Sequence, residues 1–412
     1  MSTTFGFSAT PARADSPSLG ASLPALLEHA RLHNPAFAAE RAEAEAARER
    51  IGSAGALPDP RFQIELMDVT NTMRGGGTTL LPGQVGETRY RIVQPLPAWG
   101  TRELDSRAAE ARAGRADAGR EAAWVELAAE LKAAWLRYYA AEREAALNRD
   151  ALALLQGLEE TTLSRYSLGL LPQQAVLRAQ REITTRRLAQ VAVAQKRSGA
   201  VAALNALLAR PADEALAVPL DPPALPETPV FSRIAERARA FNPALAGEAI
   251  GADVARLERD RTWRDRYPDV SIGLTNNRPR GGEDSWDVML EVMIPLQQSA
   301  RRSREREAEY RVTAADARRA AAQTKLQGEL GRAHAAFAAG RDSLRLLRGT
   351  LLPQAAATRD AARSAFSTGQ VDFDTVLEAE GQLIDIRMQA LETELETRLA
   401  LAELEKLAGD LQ

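Results

Sequence analysis

Apolar and polar side chains follow two patterns along this chain. In four short segments they alternate with a period of two, which is typical of β-strands that have one apolar and one polar face. These strands are predicted at about 61–68, 88–95, 269–276 and 286–294. Long segments without this alternation are rich in Ala, Glu, Arg and Leu, and they predict helices over about 101–209 and 299–409.

The same order of elements occurs twice. Asn34-Pro35-Ala36 on the first helix recurs as Asn242-Pro243-Ala244, and Tyr166-Ser167-Leu168-Gly169 recurs as Phe366-Ser367-Thr368-Gly369. Recurrence of several segments in one order indicates an internal duplication. The chain is therefore divided into an N-terminal tail or signal-peptide remnant, a first repeat, a Pro-rich linker and a second repeat. Their predicted bounds are 1–21, 22–210, 211–229 and 230–412.

The predicted helices are too long for an ordinary compact domain. From Thr101 to about Tyr166 the chain contains no Pro, and a helix of about 65 residues spans roughly 100 Å. Apolar residues inside these helices recur at steps of four and three, which keeps one face against a partner helix in left-handed packing. Chain reversals between paired helices are predicted at Gly169 and Gly369.

Composition and charge exclude several functions. The 53 basic and 56 acidic residues are interspersed, so no basic surface of the kind that binds nucleic acid is expected. The chain has no Cys, and His29 and His33, four residues apart, are interpreted as solvated residues of a helix face. Gly75-Gly76-Gly77 lacks the Lys-Ser/Thr of a phosphate-binding loop and is interpreted as a flexible loop. We predict no catalytic residues, no cofactor and no metal site.

The strands have about the length that a tilted β-strand needs to cross a membrane, although no apolar stretch is long enough for a transmembrane helix. Their alternation predicts one lipid-facing set, Tyr90, Ile92, Trp286, Val288 and Leu290. It also predicts one lumen-facing set, Arg89, Arg91, Asp287 and Glu291. Four strands with unpaired edges cannot sit in a bilayer, so several chains would have to share one barrel. The alternative at this point is a small sheet packed on a helix in a soluble protein.

The duplicated order of elements resembles the TolC-like outer-membrane efflux family over nearly the whole chain. The segments that carry the resemblance are Asn34-Pro35-Ala36, Asn242-Pro243-Ala244, Gln94-Pro95-Leu96, Ile294-Pro295-Leu296, Arg165-Tyr166-Ser167-Leu168-Gly169, Ala365-Phe366-Ser367-Thr368-Gly369 and Phe373-Asp374-Thr375-Val376-Leu377-Glu378-Ala379-Glu380. Within that family the chain is most similar to the outer-membrane components of heavy-metal resistance systems, the CzcC type.

The resemblance implies a mainly α-helical fold with a small β part. It implies a homotrimer with an α-helical barrel in the periplasm and a shared 12-stranded transmembrane β-barrel, four strands from each chain. The implied function is the exit duct of a tripartite efflux system, which passively conducts solutes, heavy-metal cations in particular, from an inner-membrane pump and a periplasmic adaptor. Two alternatives remain open, a duct for drugs or secreted polypeptides and a soluble coiled-coil scaffold.

The resemblance also implies a gate at the helix turns, where family members carry acidic residues after the second turn. Glu378 matches one such position, whereas Thr375 stands where another acid is often found. Asp372 and Asp374 are close by and can substitute, and Arg178 of the first half could pair with these acids in a closed state. The alternative is that these acids form an ordinary acidic first turn that complements the helix dipole.

Overall fold

The computed structural model describes residues 19–71 and 77–409. Residues 1–18 of the predicted N-terminal tail, and Gly75 and Gly76 of the predicted loop, lie outside the described residues. The helices are α1 Leu23–His33, α2 Pro35–Ala54, α3 Thr101–Ser167, α4 Gln173–Leu207, α5 Phe231–Phe241, α6 Pro243–Arg264, α7 Gln298–Leu346, α8 Leu352–Ser367 and α9 Phe373–Ala408. The strands are β1 Arg61–Met67, β2 Glu87–Leu96, β3 Asp269–Pro279 and β4 Ser285–Met293.

The chain divides into two compact units, and each contains elements from both halves of the sequence. One unit comprises Met1–Ala39, Ala122–Asn242 and Lys325–Gln412, and its elements among the described residues are all helices. The other comprises Glu40–Glu121 and Pro243–Thr324, and it holds the four strands.

The strand-containing unit is built on one antiparallel sheet with the order β1-β2-β3-β4. Each half of the sequence contributes one hairpin, and the hairpins join through β2 and β3, where Ile92 lies opposite Leu274. The outer edges of β1 and β4 have no strand partner among the described residues. The sheet is therefore open on both sides within one chain.

Arg–carboxylate pairs link the helices of this unit. Arg48 lies 2.7 Å from Asp117, between α2 and α3. Similar pairs join α3 to α6 and α6 to α7, with distances of 2.6 Å between Arg112 and Glu258 and between Arg256 and Asp316. Exposed pairs of this kind contribute about 0–1 kcal/mol each. They add to the small apolar area that Ala-rich helices can bury against one another.

The helical unit has a conventional apolar core where α1, α3 and α4 meet. Leu26, Leu131 and Leu204 are completely buried there, and Tyr138 is buried beside them. The Trp135 indole N–H donates to the Gly20 carbonyl at 3.0 Å. This core holds the chain that precedes α1 against the long helices.

The repeated Asn-Pro motif has a structural explanation. The Asn34 side-chain oxygen accepts from the Phe37 amide at 2.9 Å and caps α2, while its amide group donates to the Leu207 carbonyl at 2.9 Å. Asn242 makes the equivalent contact with Leu407 at 3.0 Å. Because Pro excludes the preceding residue from helical geometry, each opening helix breaks here. The Asn then ties the break to the end of the return helix of its own half.

A single turn of π-helix, Leu347–Leu351, separates α7 from α8. The sequence predicts an interruption of this helix at Pro353. Proline has no N–H to donate to the carbonyl four residues earlier, which is that of Gly349, and its ring crowds that carbonyl. One wider turn relieves both effects and lets the helix continue.

Replacing Asn34 with Ala tests the role of the Asn-Pro motif. We expect the free energy of unfolding to fall by about 1–3 kcal/mol, because a helix cap and a buried hydrogen bond are lost together. The measurement is the thermal midpoint of the purified protein in detergent. Asn34→Asp keeps the acceptor for Phe37 and loses only the donor to Leu207. Its thermal midpoint should therefore lie between those of the native protein and of Asn34→Ala. An unchanged midpoint for Asn34→Ala would contradict this explanation.

Candidate functional site

The sheet places the predicted lipid-facing residues on one face. Directly opposed residues of an antiparallel sheet point to the same side, and two cross-strand rows connect the set. Ile92 lies opposite Leu274, which lies opposite Val288, and Tyr90 is joined through Asn276 to Trp286.

This apolar face is widely exposed in the chain. Val288 is 79% exposed, Leu290 68% and Trp286 66%, and Phe62, Ile64, Ile272 and Leu274 are exposed on the same face. A contiguous exposed apolar surface of this kind marks contact with a membrane or with another protein.

The predicted lumen-facing residues share the opposite face, where they form an ionic and hydrogen-bonded network. Arg91 lies opposite Thr275, which lies opposite Asp287. The Arg91 Nε donates to the Thr275 hydroxyl at 3.1 Å. Asp287 accepts from the Asn277 amide group at 2.5 Å, and Glu291 lies on this face opposite Ser271.

Glu65 is a member of this network that the sequence did not single out. Its carboxylate lies 4.0 Å from Arg89 and 3.9 Å from Arg91, so one acid on β1 bridges two arginines on β2. The alternation along β1 already placed Glu65 on the polar side. Its opposition to Arg89 depends on the register of the hairpin, which the alternation alone does not set.

The two helix turns have the same backbone geometry. Gly169 and Gly369 adopt left-handed conformations with φ of 71° and 75°. At the first turn the Gly169 amide donates to the Tyr166 carbonyl and the Leu170 amide to the Arg165 carbonyl, both at 2.9 Å. This pair of bonds is the Schellman motif, and the second turn repeats it at Gly369 and Gln370. A side chain with a Cβ would be strained at either glycine.

The two turns pack against each other inside the helical unit. Phe366, Phe373 and Val376 are buried together with Ala175 and Ala179 from α4. The Arg165 guanidinium, from the first turn, lies over the Phe366 ring at 4.2 Å from its centroid.

The structure gives the predicted gate residues three different environments. Asp374 forms an ion pair with Arg178, so the pairing of Arg178 with one of the predicted acids is present within a single chain. Asp372 is the N-cap of α9 and accepts from the Thr375 amide at 3.0 Å and the Thr375 hydroxyl at 2.6 Å. Glu378 has no cationic partner among the described residues and lies 3.5 Å from the Gln382 amide group. Asp372 is therefore a helix cap and Asp374 an ion-pair partner, whereas Glu378 has neither role among the described residues.

Glu380 is a buried acid that the sequence did not distinguish from its neighbours. It is only 1% exposed, and the Arg363 Nε lies 2.5 Å from its carboxylate in a close ion pair that lacks hydrogen-bond geometry. This pair joins α8 to α9 beside the apolar cluster at the turns. Removal of one partner would leave a buried charge uncompensated, which is strongly destabilising.

Two further observations concern metals and membranes. Within residues 19–71 and 77–409, no group of three or more His, Asp or Glu side chains is placed to hold a metal ion. His29 and His33 stack with ring centroids 4.3 Å apart, and the pKa of His29 is lowered by burial and by the neighbouring His33. Among the helices of the described residues, none has the length and apolar character required to cross a membrane.

Comparisons with known proteins agree with this geometry. The fold is that of a class of outer-membrane channels. The chain is 18% identical to the outer-membrane channel OprN, with 94% of this chain and 89% of OprN covered and a TM-score of 0.79. It is 15% identical to CusC, described as forming a transmembrane channel, with 98% of this chain and 99% of CusC covered and a TM-score of 0.79. The outer membrane protein VceC of Vibrio cholerae is 17% identical, with 94% of this chain and 96% of VceC covered and a TM-score of 0.78.

The chain matches the family model of outer membrane efflux proteins over residues 26–210 and again over 234–410, and it belongs to that family. A search of curated protein sequences finds no match. The protein is therefore an outer membrane efflux protein that has the fold of known outer-membrane channels, in agreement with the TolC-like resemblance.

The cap of α9 provides a test of the Asp372 assignment. The Thr375 hydroxyl, and then the Thr375 amide, lower the pKa of the Asp372 carboxyl from its ordinary value. A lowered pKa means that the cap stabilises α9 above the ordinary pKa of Asp, and that this stabilisation is lost as the pH falls through the lowered value. At pH 7 we expect Asp372→Ala to accelerate hydrogen exchange of the first amides of α9. Asp372→Ser, which can still cap, should leave their exchange close to that of the native protein, and equal exchange in all three proteins would exclude the cap.

Proposed function

We propose that three copies of this chain close one β-barrel, and that the assembly is the exit duct of a tripartite efflux system that passively carries heavy-metal cations. A periplasmic adaptor and an inner-membrane pump would supply the cargo. The observation that carries this proposal is the open four-stranded sheet, which has one exposed apolar face and one ionic face.

The unpaired edges of β1 and β4 support closure by neighbouring chains. Within the hydrocarbon region every backbone N–H and C=O needs a partner, because no water is available to replace one. Pairing β4 of one copy with β1 of the next satisfies both edges of every copy. Three copies give twelve strands, an even number compatible with a closed antiparallel barrel.

The opposite chemistry of the two faces supports their assignment to lipid and to lumen. The face with Trp286, Val288 and Leu290 offers almost continuous apolar surface, whereas the face with Arg89, Arg91 and Glu65 is internally ion-paired. Because each of these arginines has a carboxylate within 4.0 Å, the lumen side of the sheet presents no cluster of unpaired cations there. Such a surface suits a passive duct.

The helix turns support a gate formed by Arg178, Asp374 and Glu378. The Arg178–Asp374 pair ties the start of α9 to α4, and both side chains remain about 40% exposed, at 39% and 44%. Three copies of Glu378 around a common axis would form a ring of like charge that favours cations over anions. Opening of the ring would separate Arg178 from Asp374 in each copy.

Heavy-metal cations are the proposed cargo because the sequence resembles the CzcC type of component within this family. A duct that only conducts needs no ligand set for its cargo. Deletion of the gene followed by growth on zinc, cobalt and cadmium salts, and on a panel of drugs, tests this point. Sensitivity to the metals alone is expected, and sensitivity to drugs alone would favour the drug-duct alternative. The soluble scaffold does not agree with membership of an outer-membrane family.

A pair of adjacent substitutions on β4 tests the assignment of the two faces. Leu290→Arg places a charge on the proposed lipid side, at a cost of roughly 2–4 kcal/mol near the middle of the bilayer. We expect it to reduce the yield of membrane-inserted trimer, measured by membrane fractionation and by heat-resistant migration on gels. Glu291→Arg places the same side chain on the opposite face and should insert like the native chain. Equal insertion of both variants would contradict the assignment.

Neutralising Asp374 and Glu378 together tests the gate. We expect Asp374→Asn with Glu378→Gln to raise single-channel conductance in planar bilayers by about twofold or more, since both the ion pair and the proposed ring lose charge. The matched control is Glu392→Gln with Glu396→Gln, which removes two exposed charges from the same helix several turns away. Unchanged conductance in the first variant, or an equal rise in the control, would exclude the gate.

A further inference from the structure

Where the sheet meets the helices, the chain presents a rim of apolar and basic side chains, all of them exposed except Arg264 and Arg301, which are half-buried. We define the helix-side rim as Trp99, Trp263, Arg264, Arg266, Tyr267, Leu296, Arg301 and Arg302. We propose that this rim binds the phosphate group of anionic phospholipids in the periplasmic leaflet of the outer membrane. The inference rests on the proposed function, because it requires the apolar face of the sheet to contact lipid.

The apolar face of β4 continues beyond the end of the strand. Ile294 and Leu296 keep the alternation of Leu290 and Val292, and they are 68% and 80% exposed. At the corresponding end of β2, Trp99 is 93% exposed just before α3 begins. Large apolar side chains therefore reach the level at which lipid headgroups begin on the periplasmic side.

Aromatic rings and guanidinium groups are combined at this level. The Arg264 guanidinium lies 5.8 Å from the centre of the Tyr267 ring and packs beneath Gly100, next to Trp99. The Arg266 guanidinium lies 5.4 Å from the centre of the Trp263 ring. Aromatic rings are typical of the interfacial layer of a membrane, where one end contacts acyl chains and the other contacts headgroups.

The charges at the rim do not balance. Arg266, Arg301 and Arg302 all lie near enough to the Glu305 carboxylate to act on it electrostatically. Arg266 binds it with two hydrogen bonds of 2.7 and 2.9 Å. The hydrogen bond from Arg266, followed by the positive fields of Arg266, Arg301 and Arg302, lowers the pKa of Glu305. Three cations therefore share a single acid.

The other acids nearby are already engaged. Asp265 lies 2.6 Å from Arg261 and 3.7 Å from Arg304, and Asp269 accepts from the Ala98 amide at 2.8 Å. Among the described residues no carboxylate pairs with Arg264, Arg301 or Arg302. Arg301 instead donates to the Gln298 side-chain oxygen and, at 3.4 Å, to the Pro295 carbonyl, which places its guanidinium beside the end of β4.

An anionic phospholipid matches this arrangement in both of its parts. Its acyl chains fit beside Ile294 and Leu296, and its phosphate can accept two hydrogen bonds from one guanidinium, as arginine geometry favours. A free phosphate ion would use the charge and leave the apolar part of the rim in water. The combination of apolar and basic side chains at the rim therefore favours a lipid over a soluble anion.

Substitution of Arg301 and Arg302 with Gln tests the proposal. The purified native trimer and the variant are titrated in detergent with phosphatidylglycerol or phosphatidylcholine, and the lipids retained by each are counted by native mass spectrometry. A basic residue near an anionic surface is worth about fivefold in affinity, so the double variant should bind phosphatidylglycerol roughly 25-fold more weakly. Its weaker binding of phosphatidylcholine should be unchanged.

The matched control is Arg318→Gln with Arg319→Gln. This adjacent pair is exposed on α7, 17 residues beyond Arg301 and Arg302, or about 26 Å farther along the helix. We expect this variant to retain native binding of phosphatidylglycerol. Inorganic phosphate is added in a separate arm, where it should not displace the lipid.

Three results would overturn the proposal: equal binding of the two lipids by the native trimer, equal loss in both double variants, or displacement of phosphatidylglycerol by inorganic phosphate. Conductance of the same samples in planar bilayers is measured in parallel. A native trimer that conducts and has no preference for the anionic lipid would remove only the rim proposal. A chain that neither inserts nor conducts would remove the proposed function itself.

Discussion

The structure depends on the pairing of backbone groups at the two edges of a four-stranded sheet. β1 and β4 each present an edge of N–H and C=O groups without a strand partner within the described chain. In water such an edge invites aggregation, and in lipid each unpaired group costs several kcal/mol. The apolar face of the same sheet cannot remain in water, and its edges cannot remain open in lipid. Both requirements are met together in the proposed barrel, where copies of the chain join their sheets.

The internal duplication separates what the fold requires from what the function requires. Two structural features are the same in both halves: an Asn side chain ties each opening break to the return helix, and a left-handed glycine lies at each turn. Side chains at matched positions differ, since Arg178 of the first half corresponds to Glu378 of the second. Leu168 and Leu170 at the first turn are 73% and 68% exposed, whereas the second turn has Thr368 and Gln370. Features of the turns that serve transport are therefore expected among the differences.

Much of this architecture was accessible from the sequence because its signals are local. The alternation around Trp286 and Val288 fixes a strand and its faces, and the helix ends follow from Gly169 and Gly369. Each of the two predicted sets of sheet residues lies on a single face, and the two faces are opposite. Their roles toward lipid and lumen stay predictions.

Other features depend on contacts that the sequence does not encode locally. Three acids after the second turn were equivalent candidates for Arg178, and only the packing of α4 on α9 selects Asp374. Glu380 is buried because α8 covers it, and a Glu in an acidic stretch carries no local signal of burial. The bridge from Glu65 to Arg89 requires the register of a hairpin whose loop is long. The wider turn before Pro353 is a local response to a missing donor, but its placement needs the helix to continue on both sides.

The strength of the Arg178–Asp374 pair is suited to a gate. An exposed ion pair contributes about 1 kcal/mol at most, and a single pair would bias a two-state equilibrium by only about fivefold. In the proposed gate, three symmetric pairs that separate together would contribute at most about 3 kcal/mol, which corresponds to a bias of at most roughly 150-fold. This bias would favour the closed state, and the differential binding energy of a partner protein at the turns would be sufficient to reverse it. A buried pair such as Arg363–Glu380 could not serve in this way, because its separation would expose an uncompensated charge within the apolar cluster.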